Sequence, residues 1–125
     1  MPTIIRAPNG HKVKAAVSHA VRTGNLLFIS GTPGYFGDRE LAVGDFPAQF
    51  HQAMKNLKVT LESSGTDLAH VVKMTVYLTR QSDFWTMDDL YRRYFPNEAY
   101  PARTTIITML MNADMLLEIE AVAEV

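Results

Sequence analysis

Between Phe46 and Leu78 the spacing of apolar residues changes once, and that change limits the folds open to the chain. Phe50, Ala53, Met54, Leu57 and Leu61 recur at steps of three and four, which makes one apolar stripe along a helix. Asp45 is placed to cap that helix, Pro47 is tolerated in its first turn, and Gly65 suits the residue beyond its end. The helix is expected over Phe46–Ser64. In HVVKMTVYL, His70 to Leu78, the period falls to two: Val72, Met74, Val76 and Leu78 share one face and Val71, Lys73, Thr75 and Tyr77 the other.

The remaining elements fit around this pair. AAVSHAVRTGNLLFISG reads as two short strands about Gly24-Asn25, apolar on both faces. Thr32 to Gly44 is rich in glycine and charge and reads as a surface loop with a short extended piece. A second helix is expected from Asp83 to Phe95, capped by Ser82 and stopped by Pro96. Arg103–Met109 and Leu116–Val122 read as two strands around a turn near Met111 to Asp114. The order β-β-β-α-β-α-β-β favours an α+β fold, one sheet with two helices on one face. The other face still carries Val, Ile, Met and Thr, and a partner subunit is the simplest cover for it.

Bulk properties narrow the function classes. The chain has 125 residues, which fits one domain spanning residues 1–125. Net charge is −1 and no basic stripe occurs, so nucleic acid phosphates find little to attract them. No apolar run approaches the roughly 20 residues of a membrane span. The absence of cysteine excludes disulfides, zinc–thiolate sites and cysteine nucleophiles, and suits a cytoplasmic protein, as does an N-terminus without a signal pattern. The four histidines make no metal motif.

Within YPARTTIITM, Arg103 is a guanidinium at the mouth of an apolar strand. Two readings stand. One is a structural ion pair with Glu118, Glu120 or another acid; the other is a fork of donors aimed at a ligand carboxylate. In LLEIEAVAEV, alternation places Glu118 and Glu120 opposite Leu117, Ile119 and Ala121. A two- or four-residue hairpin would put Arg103 on the glutamates' face, and a three-residue loop would reverse that. Ser30-Gly31-Thr32 offers a hydroxyl and open backbone at a strand end.

GNLLFISG, the segment Gln49 to Leu78, DFWTMDDLYRRYF, and YPARTT with LEIEAVA together resemble the YjgF/YER057c/UK114 family, also called Rid, whose main branch comprises reactive intermediate deaminases. The resemblance implies a chorismate-mutase-like α+β fold, a homotrimer and ligand clefts between subunits. It implies hydrolysis of an enamine or imine acid such as 2-aminoacrylate to a 2-oxo acid and ammonia, with no cofactor and no metal. Arg103 would hold the small carboxylate metabolite and Glu118 would support the attacking water. Ser30 and Gly31 would line the cleft, and Thr105 would lend strand backbone beside the carboxylate.

The walls depart from the family's pattern. Ala15, Ala16 and Val17 stand where deaminating members carry Gly-Pro-Tyr, His19 replaces a glutamine, Thr105 a cysteine, and Asp88 a frequent asparagine. These changes imply a different substrate, or retained binding without catalysis. His19, Ser30-Gly31-Thr32 and PARTT also resemble the aminomuconate deaminase branch. An endoribonuclease activity has been attached to the family, and no basic surface signature supports it here.

Overall fold

A computed structural model describes all 125 residues, Met1 to Val125. Strands β1 (Thr3–Ile5), β2 (Ala20–Thr23) and β3 (Leu26–Pro33) precede helix α1 (Phe46–Ser63); β4 (Val71–Leu78), helix α2 (Phe84–Arg92), β5 (Ala102–Ile107) and β6 (Leu117–Glu124) follow. The six strands form one mixed sheet in the order β1-β2-β3-β6-β4-β5. All neighbours are antiparallel except β4 and β5, which run parallel and are joined through α2.

Helix α1 forms as its pattern demands. Asp45 accepts a hydrogen bond from the Ala48 N–H at 3.1 Å, Pro47 lies in the first turn, and Gly65 leaves the helix with φ +81°. Its stripe, Phe50 to Leu61, is buried against Leu27, Met74, Val76, Leu117 and Ile119 in one continuous core. Both helices cover the same face of the sheet. The opposite face leaves Ile4, Phe28, Val72 and Ile106 exposed.

Four expectations need correction. The last two strands are not a hairpin: β4 lies between β5 and β6, so loop length between them fixes no relation between Arg103 and the glutamates. Thr32 to Tyr35 is buried, not a surface loop, because β3 runs on through Pro33 against β6; the short extended piece is the Phe36–Glu40 bridge. A bulge at the start of β4 turns Val71 inward and leaves Val72 exposed, breaking the alternation read from sequence. Helix α2 is shorter than expected, and Ser82 does not cap it; the preceding turn is held by an Arg80–Asp83 ion pair at 2.7 Å.

Candidate functional site

Register decides where the chemistry can occur. Arg103 pairs with Met74, and Met74 with Ala121, all on the helix-covered face. Glu118 pairs with Tyr77 and projects to the open face, together with Glu120. Within one chain, the residues expected to act together therefore stand on opposite sides of the sheet.

On the open side, β3 gains one extra residue relative to β6 between Ile29 and Thr32. This bulge lets two consecutive residues, Ser30 and Gly31, line the same cavity, while Thr32 turns into the core. The cavity, about 340 Å³, also takes in Val17 and Glu118. A Cβ on Gly31 would lie 2.8 Å from the Glu118 carboxylate carbon, so only a glycine admits this carboxylate. Burial, with the neighbouring Glu120 charge, raises the Glu118 pKa above its ordinary 4.5. The Tyr77 hydroxyl donates to Glu120 and fixes that second carboxylate in place. Ser30 Oγ donates to the Ser18 carbonyl at 2.6 Å, tying the loop before β2 to the cavity edge.

On the helix side, Arg103 Nη2 donates to Asp88 Oδ1 at 2.8 Å, and Arg92 Nη2 to Asp88 Oδ2 at 2.9 Å. The guanidinium carbon lies 4.7 Å from the centre of the Tyr91 ring. Burial would raise the Asp88 pKa, but the two arginines outweigh it and hold the carboxyl below its usual value. Arg103 is thus ion-paired, as one of its two readings expected, and the partner is neither Glu118 nor Glu120 but another acid, Asp88. It still faces a second cavity, of about 260 Å³, bounded by Asp88, Tyr91, Arg92, Tyr100 and Pro101. Tyr91 has a buried hydroxyl without a partner, and burial pushes its pKa up to about 12.

The other expected residues divide between these places. Thr105 registers with Val76, on the same face as Arg103. Val17 is exposed at the rim of the Glu118 cavity. His19 spends both ring nitrogens on the chain: Nδ1 accepts from the Ala7 N–H at 3.1 Å, and Nε2 donates to the His11 carbonyl at 2.9 Å. It clamps the Ala7–His11 loop and lies outside the lining of the Glu118 cavity. No group of three or more side chains gathers in a metal-binding cluster.

Two supporting residues escaped the sequence reading. Gln49 is fully buried, donates to the Ala42 and Asp114 carbonyls and accepts from the Leu116 N–H. Asn56 donates to the Pro33 and Tyr35 carbonyls at 2.9 and 2.8 Å. Both are amides on the apolar stripe of α1, and a polar residue at a core position is the signal that could have found them.

Two helices packed on one face of a mixed six-stranded sheet form an architecture shared with solved structures, among them one from Thermotoga maritima described as a putative endoribonuclease, with a TM-score of 0.91 at 31% identity over 100% of this chain and 98% of that one. The family model described as Endoribonuclease L-PSP matches residues 8–125. A RutC family protein of Pyrococcus horikoshii is 38% identical over 124 residues, 98% of each chain. A 2-iminobutanoate/2-iminopropanoate deaminase of Dermatophagoides farinae is 28% identical over 95% of this chain and 93% of that one. The crystal structure of a conserved Rid family protein from Yersinia pestis superposes with a TM-score of 0.93 at 28% identity, over the whole of both chains. The chain belongs to the YjgF/L-PSP family, which includes the Rid reactive intermediate deaminases. No helix is long and apolar enough to cross a membrane.

Proposed function

We propose that this protein is a cofactor-independent enamine/imine deaminase that hydrolyses a small imino acid in clefts between the subunits of a homotrimer. The observation that carries this reading is the Glu118 carboxylate, seated against Gly31 in an open cavity with a raised pKa. A carboxylate whose pKa is raised is a stronger base than a free one, which suits the group that takes a proton from water. Arg103 lies on the opposite face, so the reading brings Arg103 of one protomer to the Glu118 cavity of the next. The exposed apolar residues of the open face supply the surface such an assembly would bury.

The chemistry asks little of the protein. Arg103 holds the substrate carboxylate. Water adds its oxygen to the imine carbon as Glu118 takes its proton. That proton is returned to the nitrogen to give a carbinolamine; the new hydroxyl then passes its own proton to the amine through Glu118, the C–N bond breaks as the C=O bond forms, and ammonia leaves with the 2-oxo acid. Orientation and general-base help each contribute orders of magnitude.

The Asp88–Arg103 pair favours a second reading, a metabolite-binding trimer without turnover, because an arginine already matched to an acid holds its ligand more loosely. Following decay of 2-aminoacrylate generated in situ separates the two. Wild type should accelerate decay, with Arg103→Ala and Glu118→Gln each at least about tenfold slower. No acceleration by wild type, with 2-oxo acids still bound, would leave only the binding reading.

A further inference from the structure

The cavity over Glu118 is electrostatically lopsided. Glu118 is the only acid among its lining residues, whereas Lys12, Lys14 and Arg39 stand around it. Lys14 and Arg39 make no ion pair; Lys12 alone has an acidic neighbour, the exposed Asp38 at 3.3 Å. Half of the lining is apolar, with Val13, Met109 and Met111 among it. Such a layout fits a molecule with a reacting centre at one end, an apolar middle and an anion at the other.

Arg39 is braced for a ligand. Its guanidinium lies 4.9 Å over the ring of Tyr35, which is buried, and Nη2 approaches the Tyr35 hydroxyl at 3.4 Å. Asn56, inside α1, fixes the Pro33 and Tyr35 carbonyls and so fixes that ring. Arg39 itself has φ +59°, an unfavourable conformation for a residue with a Cβ. His11 adds an independent sign. Its Nδ1 is buried, lacks any partner, and the residue lines the same cavity. Burial, with His19 beside it, pushes the His11 pKa down to about 4, so the ring is neutral and free to hydrogen-bond an incoming polar group.

We propose that Arg39 and Lys14, with Lys12, form a second anion site at the outer end of the Glu118 cavity, and that the substrate is a dicarboxylic 2-imino acid. This rests on the deaminase reading for the reacting end only. Arg103 takes the carboxylate next to the imine, and the cationic rim takes the distal one. His11, with its unpartnered Nδ1 in the same lining, is placed to hydrogen-bond a carboxylate oxygen of the ligand.

Titration calorimetry with 2-oxoglutarate and 2-oxobutanoate tests the site without requiring turnover. Wild type should bind the dicarboxylate about tenfold more tightly at low salt. In Lys14→Ala/Arg39→Ala that ratio should fall to about one, and Lys14→Arg/Arg39→Lys, which keeps both charges, should restore most of it. A wild-type ratio near one, a ratio unchanged in the double alanine variant, or no binding of either acid would overturn the second site. Hydrolysis of 2-iminoglutarate, generated in situ from glutamate by an amino acid oxidase, is followed in parallel. If the binding preference is present and charge-dependent while this imine decays at its uncatalysed rate, the deaminase reading fails and the anion site stands.

Discussion

Gly31 and Glu118 touch so closely that a methyl group on the glycine would stand 2.8 Å from the carboxylate carbon. The clash is with the end of a flexible side chain, not with backbone. Gly31→Ala should therefore fold normally, with a melting temperature within a few degrees of wild type, yet displace the carboxylate. A shift on that scale should lower kcat/KM by about 10²-fold. Thermal unfolding and imine hydrolysis measured on one preparation check both halves.

The raised pKa of Glu118 sets the direction of two pH dependences. Activity should rise with pH through a value above 4.5, as the carboxyl ionises, and Glu118→Gln should remove that limb. Stability runs the other way. The folded state holds the proton more tightly than the unfolded chain, so a favourable contribution present below about 4.5 is lost as pH rises through the folded pKa. Glu118→Gln should consequently melt higher than wild type at pH 7, and the difference should vanish in acid. A variant that melts lower than wild type at neutral pH would contradict the burial account.

Asp88 links Arg103 and Arg92, with only 12% of its side chain exposed. Asp88→Ala leaves two guanidinium groups facing each other and should cost about 2–3 kcal/mol in chemical denaturation, while Asp88→Asn keeps a hydrogen bond and should cost about 1 kcal/mol. The carboxyl pKa is depressed, so its contribution is present above the unfolded value of 3.8 and disappears as pH falls through the folded one. Asp88→Asn should also bind 2-oxo acids several-fold more tightly, because Arg103 loses its competing anion.

Phe28 sits on the open face at 47% exposure, opposite Val21 and Val122 on its neighbouring strands. Phe28→Asp should leave the circular dichroism spectrum unchanged and reduce the mass in light scattering from three chains to one. A wild type that already runs as a single chain would remove the shared cleft.

The sequence made some of this visible and hid the rest for definite reasons. Helix α1 was legible to within one residue because five apolar positions, an N-cap and a glycine stop all agree. The carboxylates of β6 were placed on their face by alternation alone. Which strand β6 pairs with was not legible, since that choice belongs to the whole sheet and not to the loop before it. The Arg103–Asp88 contact was hidden for the same cause: it joins α2 to β5, and β5 was read as the hairpin partner of β6 when it pairs in parallel with β4. The bulge at Ser30-Gly31 has no signature beyond a glycine, yet it aims two neighbouring residues into one cavity. His19 looked like a wall residue until its ring nitrogens were found engaged by the loop of Ala7 and His11.

The placement of β6 between β3 and β4 has a consequence for how the molecule is made. During translation, Met1–Pro33 and Val71–Ile107 emerge before β6, and the inner edges of β3 and β4 then have no partner. The strand that zips them together is synthesised after both, and it must insert between two partners, not extend from one. Until it clears the ribosome, the nascent chain presents the β3 and β4 edges in addition to the outer edges of β1 and β5, the state in which strand-to-strand aggregation begins.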